Sequence, residues 1–356
     1  MIRIQEHLNR ADADAYLESL ATKLWENLNK KQANGRIYKD NSLIQKCRFY
    51  RDKTTDKEYV KKYAHDDKLE AQRHRAFFKY LLADRYKELK RLIMSKPMQL
   101  DQVIADAYNI LKPSDVYTMK GNKYESTPFG TLLLGSIFNY KAFRSSAFCR
   151  QLFLDVGFKS TTCPYCNDKE VQIVQLTMSS SKALKHKAYL DLDHFYSKVA
   201  NPFLALSFYN LVPSCHDCNS ADKGEKPFTI STHIHPYFEA FDDEYDFKVS
   251  LMVLLGDPVD KIDIVHKGKK VGDRTLVDLE LMARYDNNRE GVEALVKFFL
   301  NHRHKLGTPD EQIFIDGIFD LHQTPRMRTH ILKFHRGKLK RDTLKQLDIS
   351  NNLGMG

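Results

Sequence analysis

Apolar residues recur at helical spacing through the first 150 residues of the chain. From residue 12 to residue 31, apolar positions three or four residues apart are Leu17, Leu20, Leu24 and Leu28. A second such run, from Arg73 to Ser95, ends at Pro97, and a third ends at Pro113. Proline cannot continue a helix interior, so these positions predict helix ends. We expect residues 1–150 to be mainly helical, with a loop at 118–130.

The pattern changes after residue 150. Residues 170–176 alternate as a β-strand does, and residues 186–198 predict a second strand that ends near Asp193 and His194. The stretch 201–215 predicts a loop. Residues 245–255 and 261–268 predict paired strands, and 275–285 and 290–304 predict helices. The sequence therefore predicts an α+β fold with three regions: a helical region (1–150), a central region (151–240) and a mixed C-terminal region (241–356).

Composition narrows the class of protein. The 356 residues are 42% hydrophobic and 29% charged, which is typical of a globular protein in water. No apolar run reaches the roughly 18 residues needed to span a bilayer, and the polar, mixed-charge start is unlike a secretory signal. We therefore expect a cytoplasmic protein without a membrane partner, in which thiols stay reduced.

Charge is distributed unevenly. The net charge is +10, and residues 1–150 carry 29 lysines and arginines against 18 acidic residues. A basic N-terminal half suits a phosphate backbone, but it is equally explained by solvated helix faces. The basic segment 321–345 has the same two explanations, either a binding tail or a frayed, solvated terminus.

Two C-x-x-C pairs carry the strongest chemical signal. Cys163 and Cys166 form one pair, and Cys215 and Cys218 form the other. In a reducing compartment, two such pairs predict one tetrahedral zinc site. Four thiolates leave no position for water, so this zinc is predicted to be structural rather than catalytic.

The residues between the pairs suggest a reaction. Asp193 and His194 are adjacent, and Asn210 and Asn219 follow. Cleavage of a phosphodiester needs a base, for which histidine is suited by its pKa near pH 7. It also needs charge neutralisation, which Mg²⁺ or Mn²⁺ held by carboxylate and amide oxygens supplies. Without the asparagines and cysteines, an Asp-His pair would more simply indicate a structural histidine.

The order C-x-x-C, D-H, N-L-V-P-x-C-x-x-C-N and K-G resembles the HNH endonucleases over roughly residues 161–235, about a fifth of the chain. The resemblance implies a two-stranded ribbon and a helix around one metal ion. It implies that His194 is the general base and that Asp193 and Asn219 hold the catalytic Mg²⁺ or Mn²⁺. It also implies that Asn210 orders the loop that orients the histidine. Asn219 stands where the family often has histidine, which leaves the identity of the catalytic ion open.

The resemblance implies a metal-dependent endonuclease, with DNA favoured over RNA as substrate. More loosely, the layout resembles the HNH subunit of Septu-type anti-phage defence systems, which implies an ATPase partner. The chain has no GxxxxGK[ST] motif of its own, which is compatible with that arrangement. Two alternatives stay open: a non-catalytic, zinc-stabilised nucleic-acid-binding module, and an RNA-directed nuclease.

Overall fold

The computed structural model describes residues 1–33, 35, 37–121, 123–176, 185–287 and 289–355, and it has the predicted α+β fold. The N-terminal helices are α1 (Ile4–Leu8), α2 (Ala13–Leu28), α3 (Leu43–Lys53), α4 (Lys57–Tyr63), α5 (Lys68–Leu82), α6 (Lys87–Met94), α7 (Leu100–Tyr108), α8 (Pro113–Val116), α9 (Pro128–Leu132), α10 (Tyr140–Ser145) and α11 (Ala147–Asp155). All four leucines predicted for the apolar face contribute to the packing of α2, three of them fully buried and Leu28 half-buried. The mainly helical N-terminal region is therefore confirmed.

The single helix expected between Arg73 and Ser95 is wrong. The chain forms α5 and α6 instead, because Asp84, Arg85 and Tyr86 all have positive φ angles and turn the backbone between them. The break lets α5 pack on α3 while α6 packs on α2. Both apolar faces thus reach the same core, which a continuous helix could not achieve.

The loop expected at 118–130 is also wrong, since it contains a β-hairpin. Strand β1 (Tyr117–Lys120) pairs antiparallel with β2 (Lys123–Ser126). The Tyr117 and Tyr124 rings meet edge to face across the strands, 4.9 Å between centroids. Gly121 supplies the positive φ that the turn requires, while Asn122 lies outside the described residues.

The described residues of the central region form two small antiparallel sheets. Strands β3 (Thr161–Thr162), β4 (Glu170–Leu176) and β5 (Lys185–Tyr189) form one sheet; β6 (Asp191–His194) and β7 (Leu211–Ser214) form the other. The single strand expected over 186–198 is thus divided at Leu190, and the end of the expected loop 201–215 is strand β7. A π-type helix, Asp217–Lys223, follows β7 and completes a strand–loop–strand–helix unit.

The C-terminal region contains strands β8 (Tyr245–Val249) and β9 (Ile262–His266), and helices α12 (Phe241–Glu244), α13 (Thr275–Asp278), α14 (Leu281–Asp286), α15 (Glu290–His302), α16 (Glu311–Asp316) and α17 (Gly337–Leu347). The predicted strand pair is confirmed, although β8 is shorter than expected. The helix expected over 275–285 is divided at Glu280, which has a left-handed conformation.

Shorter 3₁₀ and π turns connect these elements at Asp84–Tyr86, Pro97–Gln99, Leu133–Ile137, Pro202–Leu204, Phe208–Asn210, Leu251–Leu255, Arg303–Lys305, Gly317–Leu321 and Arg328–Lys333. Among the helices that the structure describes, none has the length and apolar character needed to cross a membrane.

The basic segment 321–345 is not a frayed terminus. Lys338 is fully buried, and its Nζ lies 2.6 Å from Asp242 and 2.7 Å from Asp342. Arg341, 2% exposed, donates to the carbonyl of Arg326. Helix α17 therefore uses these cations inside the fold, where buried charges need partners, and they are unavailable for an external phosphate.

Candidate functional site

The four predicted cysteines meet at one point. Cys163 and Cys166 follow β3, Cys215 and Cys218 follow β7, and all four sulfurs are buried within 4.8 Å of one another. The Cys166 and Cys215 sulfurs are 3.9 Å apart, close to the edge of about 3.8 Å expected for a tetrahedron of thiolates around zinc. Backbone N–H groups of Asp168, Cys215 and Cys218 each donate to a cysteine sulfur at 3.4 Å. A metal ion such as zinc fits this donor set.

Helix α14 supplies a positive charge to the cysteine cluster. The Arg284 guanidinium lies 3.3 Å from the Cys218 sulfur and 2.6 Å from Asp222, and the Tyr285 hydroxyl donates to the carbonyl of Cys166. Arginine beside thiolates offsets part of their negative charge. Nothing in the local sequence marks these residues, because α14 lies more than sixty residues beyond the second cysteine pair.

Asp193 faces the π-type helix rather than an open site. Both carboxylate oxygens lie 2.7 Å from Lys223 Nζ, and the Tyr165 hydroxyl donates to one of them at 2.7 Å. Lys223 is only 3% exposed, and its ammonium also donates to the carbonyls of His194 and Phe195. Lys223 is therefore an internal partner of Asp193 and not a surface lysine.

Asn219 contacts a different acid. Its amide nitrogen donates to Asp191 at 3.1 Å, and His216 Nδ1 lies 3.1 Å from the same oxygen. Asp191 and Asp193 are two residues apart on β6, so their side chains lie on the same face of the strand. The π-type helix contacts both: Asn219 donates to Asp191, and Lys223 pairs with Asp193. Among the described residues, no hydrogen bond joins Asn219 to Asp193.

His194 projects from the opposite face of β6. Its Nε2 lies 3.1 Å from the carbonyl oxygen of Ala205, and the Tyr140 ring packs edge-on against it, 4.4 Å between centroids. A carbonyl only accepts hydrogen bonds, so Nε2 carries the proton and Nδ1 holds the lone pair. Nδ1 has no hydrogen-bond partner among the described residues. Burial lowers the pKa of His194 to about 3, so the imidazole is neutral at pH 7.

Asn210 holds the loop between β6 and β7 in shape. Its side-chain oxygen accepts from the Tyr196 backbone N–H at 2.7 Å. Its amide nitrogen donates to the carbonyls of Tyr196 and Leu204 at 3.2 and 3.3 Å. The same loop carries Ala205, whose carbonyl holds His194. Asn210 is fully buried, so it orders the loop and, through Ala205, orients the imidazole.

Replacing Asn210 with alanine is expected to lower the free energy of unfolding by about 3 kcal/mol, since buried backbone groups lose their partners at about 1–3 kcal/mol each. Urea unfolding measures this change. Asn201→Ala is the matched control, because buried Asn201 makes a single side-chain bond, to the Ser197 carbonyl at 3.4 Å. Equal losses in the two variants would contradict the role given to Asn210.

Two histidines after the π-type helix are buried. His233 stacks on Phe228 at 3.6 Å and bonds Asp278 at 3.0 Å, while His235 packs against Phe195 at 4.1 Å. Their surroundings are aromatic and internal, so neither faces a substrate in this conformation.

The sequence analysis missed Tyr165 and Asp191, which both contact residues of the site. Of the two, only Asp191 could have been found from the sequence, since it lies two residues before Asp193 and shares its face of the strand.

Comparison of the chain with protein-family models, with curated proteins and with solved structures finds no match in any of the three.

Proposed function

We propose that the strand–loop–strand–helix unit is the catalytic core of an HNH-type nuclease that hydrolyses phosphodiester bonds, with DNA the favoured substrate. One observation carries the proposal. A neutral imidazole with an unpaired Nδ1 stands at the end of β6, and its orientation is set by a loop that Asn210 holds. A general base needs one ring nitrogen with a free lone pair, and Nδ1 of His194 meets that requirement.

The base acts when a phosphate is present. An anion beside an imidazole stabilises its protonated form and raises its pKa. Burial lowers the pKa of His194 in this structure, and a bound phosphate would raise it again. Lys198 is exposed and lies over the Tyr140 ring at 5.2 Å, so it offers an ammonium group for the phosphate next to the ring that covers His194.

A groove beside the π-type helix suits a nucleic-acid strand. It has a volume of about 770 Å³, and its lining includes Lys123 and Tyr124 of the β1–β2 hairpin, together with Ser220 and Lys226. Lysines neutralise phosphates and an aromatic ring stacks on a base, which is the usual combination for single strands. Lys223 also lines this groove, so the groove adjoins the Asp193 pair.

We propose that the cysteine cluster binds structural zinc. The buried sulfurs, the N–H groups that donate to them and the Arg284 charge fit a closed four-thiolate site. Zinc would clamp the turn between β3 and β4 to the end of β7 and the start of the π-type helix. Strand β7 in turn pairs with β6, which carries His194.

The donors assigned to the catalytic cation do not fit it in this conformation. Both oxygens of Asp193 are engaged by Lys223 and Tyr165, and Asn219 is directed to Asp191. A cation reaches Asp193 only if the Lys223 ammonium moves away. Cleavage assays with Mg²⁺, with Mn²⁺ and with chelator test whether a cation takes part.

The test is cleavage of supercoiled plasmid and of single-stranded RNA, with Mg²⁺, with Mn²⁺ and with chelator. We expect His194→Gln to reduce cleavage by a factor of about 10²–10⁴, because a positioned base contributes about that much. His186→Gln, at a half-buried histidine on strand β5, which precedes β6 in the chain, is the matched control and should cleave like the wild type.

Other outcomes discriminate among the alternatives. Equal cleavage by wild type and His194→Gln would remove His194 as the base. Salt-sensitive binding without cleavage by any of the proteins would indicate a non-catalytic nucleic-acid-binding module, which the closed Asp193–Lys223 pair favours. Cleavage of RNA alone would indicate an RNA-directed nuclease.

A further inference from the structure

A second group of buried ligand-type side chains lies in the helical region. Glu70 and His74 are one turn apart on α5, and Asp115 lies on α8. One carboxylate oxygen of each acid and one ring nitrogen of His74 lie within 4.8 Å of one another. Exposures are 7% for Glu70, 0% for His74 and 1% for Asp115. Among the described residues, the cysteine cluster is the only other such group of three or more.

His74 leaves one polar atom without a partner. Its ring stacks on Phe129 with 3.6 Å between centroids, and its Nδ1 lies 3.2 Å from the Tyr59 hydroxyl. These contacts fix the ring so that Nε2 points toward Glu70, 3.7 Å from Oε1, and Nε2 makes no hydrogen bond. If Nε2 carries a proton, 3.7 Å is too long for a good bond. If it carries a lone pair, that lone pair faces an anionic oxygen.

Charge in the group is incompletely balanced. Asp115 has a bidentate partner, since Arg73 donates to its oxygens at 2.8 and 2.5 Å. It also accepts from the Lys112 backbone N–H. The side-chain partner of Glu70 is His65, whose Nδ1 lies 3.1–3.2 Å from both carboxylate oxygens.

We propose that Glu70, His74 and Asp115 bind a divalent first-row transition-metal ion, with Zn²⁺ as the expected occupant. A nitrogen and two carboxylate donors suit this class of ion, and an ion among them satisfies the unpaired His74 nitrogen and neutralises Glu70. The Arg73 guanidinium orients Asp115, and Oδ1 of Asp115 accepts only from Arg73 among the described residues, so it keeps a lone pair for the ion. His65 lies at the solvent edge, 54% exposed along its side chain, and marks the entry path for the ion.

The ion would join α5 to the start of the β1–β2 hairpin. Asp115 lies two residues before β1, and the Asp115 carbonyl accepts from the Thr127 hydroxyl just after β2. The site therefore sits at the base of the hairpin that lines the groove. Its role is structural support, and it depends neither on nuclease activity nor on the cysteine cluster.

The test is the number of zinc ions per chain after incubation with excess Zn²⁺ and desalting, measured by elemental analysis and by native mass spectrometry. We expect wild type to retain one more ion per chain than Glu70→Gln, which keeps the side-chain size but removes the charge. The matched control is Glu88→Gln, at a half-buried helical carboxylate paired with Arg91 and outside the group; it should retain the same number as wild type.

The wild-type count is informative even if Glu70→Gln fails to fold, because four thiolates at one point hold a single ion. Cobalt substitution then separates the sites, since only the cysteine cluster gives thiolate-to-metal absorption. A wild-type protein that binds one ion, entirely with thiolate character, would overturn the proposal. So would an unchanged ion count in folded Glu70→Gln.

Discussion

Cys218→Ser is expected to release the metal ion of the cysteine cluster and to unfold the central region. Cys218 is fully buried, and its sulfur lies against Arg284. A serine hydroxyl does not replace a thiolate in a closed site, and structural zinc contributes on the order of 10 kcal/mol to folding. That contribution is comparable to the whole stability of a typical domain, about 5–15 kcal/mol.

The measurement combines metal content, urea unfolding and limited proteolysis of residues 161–223. Cys149→Ser is the control, because Cys149 is equally buried but lies outside the cluster; it should keep the metal and lose only packing energy. Retention of a full complement of metal by Cys218→Ser, with an unchanged unfolding midpoint, would show that the cluster is not a metal site.

Lys223→Met is expected to lower the free energy of unfolding by about 3–5 kcal/mol, the usual result of removing one partner of a buried ion pair. Methionine keeps most of the side-chain volume. It leaves the Asp193 carboxylate buried, with the Tyr165 hydroxyl as its remaining side-chain partner, and it leaves two backbone carbonyls without the ammonium. Burial lowers the pKa of Lys223, while Asp193 favours its charged form.

Urea unfolding of single and double variants tests this prediction. Adding Asp193→Asn to Lys223→Met should restore part of the loss, because the uncompensated charge is removed. Lys226→Met is the control, since Lys226 is half-buried and its Nζ bonds the Asp278 carbonyl rather than a carboxylate. Similar losses of unfolding free energy in Lys223→Met and Lys226→Met would show that the ion pair with Asp193 stabilises the fold no more than the hydrogen bond of Lys226 to a carbonyl does.

Structure that depends on the spacing of residues close together in sequence was predicted well. Leu17, Leu20 and Leu24 lie on one face of α2, and Glu170–Leu176 is a strand, because periodicity follows directly from helix and strand geometry. Element boundaries were predicted less well. The breaks at Leu190 and Glu280 and the turn at 84–86 depend on which neighbouring elements compete for the same apolar face, and periodicity does not contain that information.

The sequence by itself determined the α+β class, the helical N-terminal region and the two C-x-x-C pairs that bring four sulfurs together. Only the tertiary structure decided that Lys223 pairs with Asp193, that Asn219 turns to Asp191, and that Lys338 and Arg341 are internal. The physical reason is that a buried charge takes the partner nearest in space. In this fold that partner lies thirty residues away for Lys223. Of the two carboxylates that pair with Lys338, Asp342 is four residues away and Asp242 is 96 residues away.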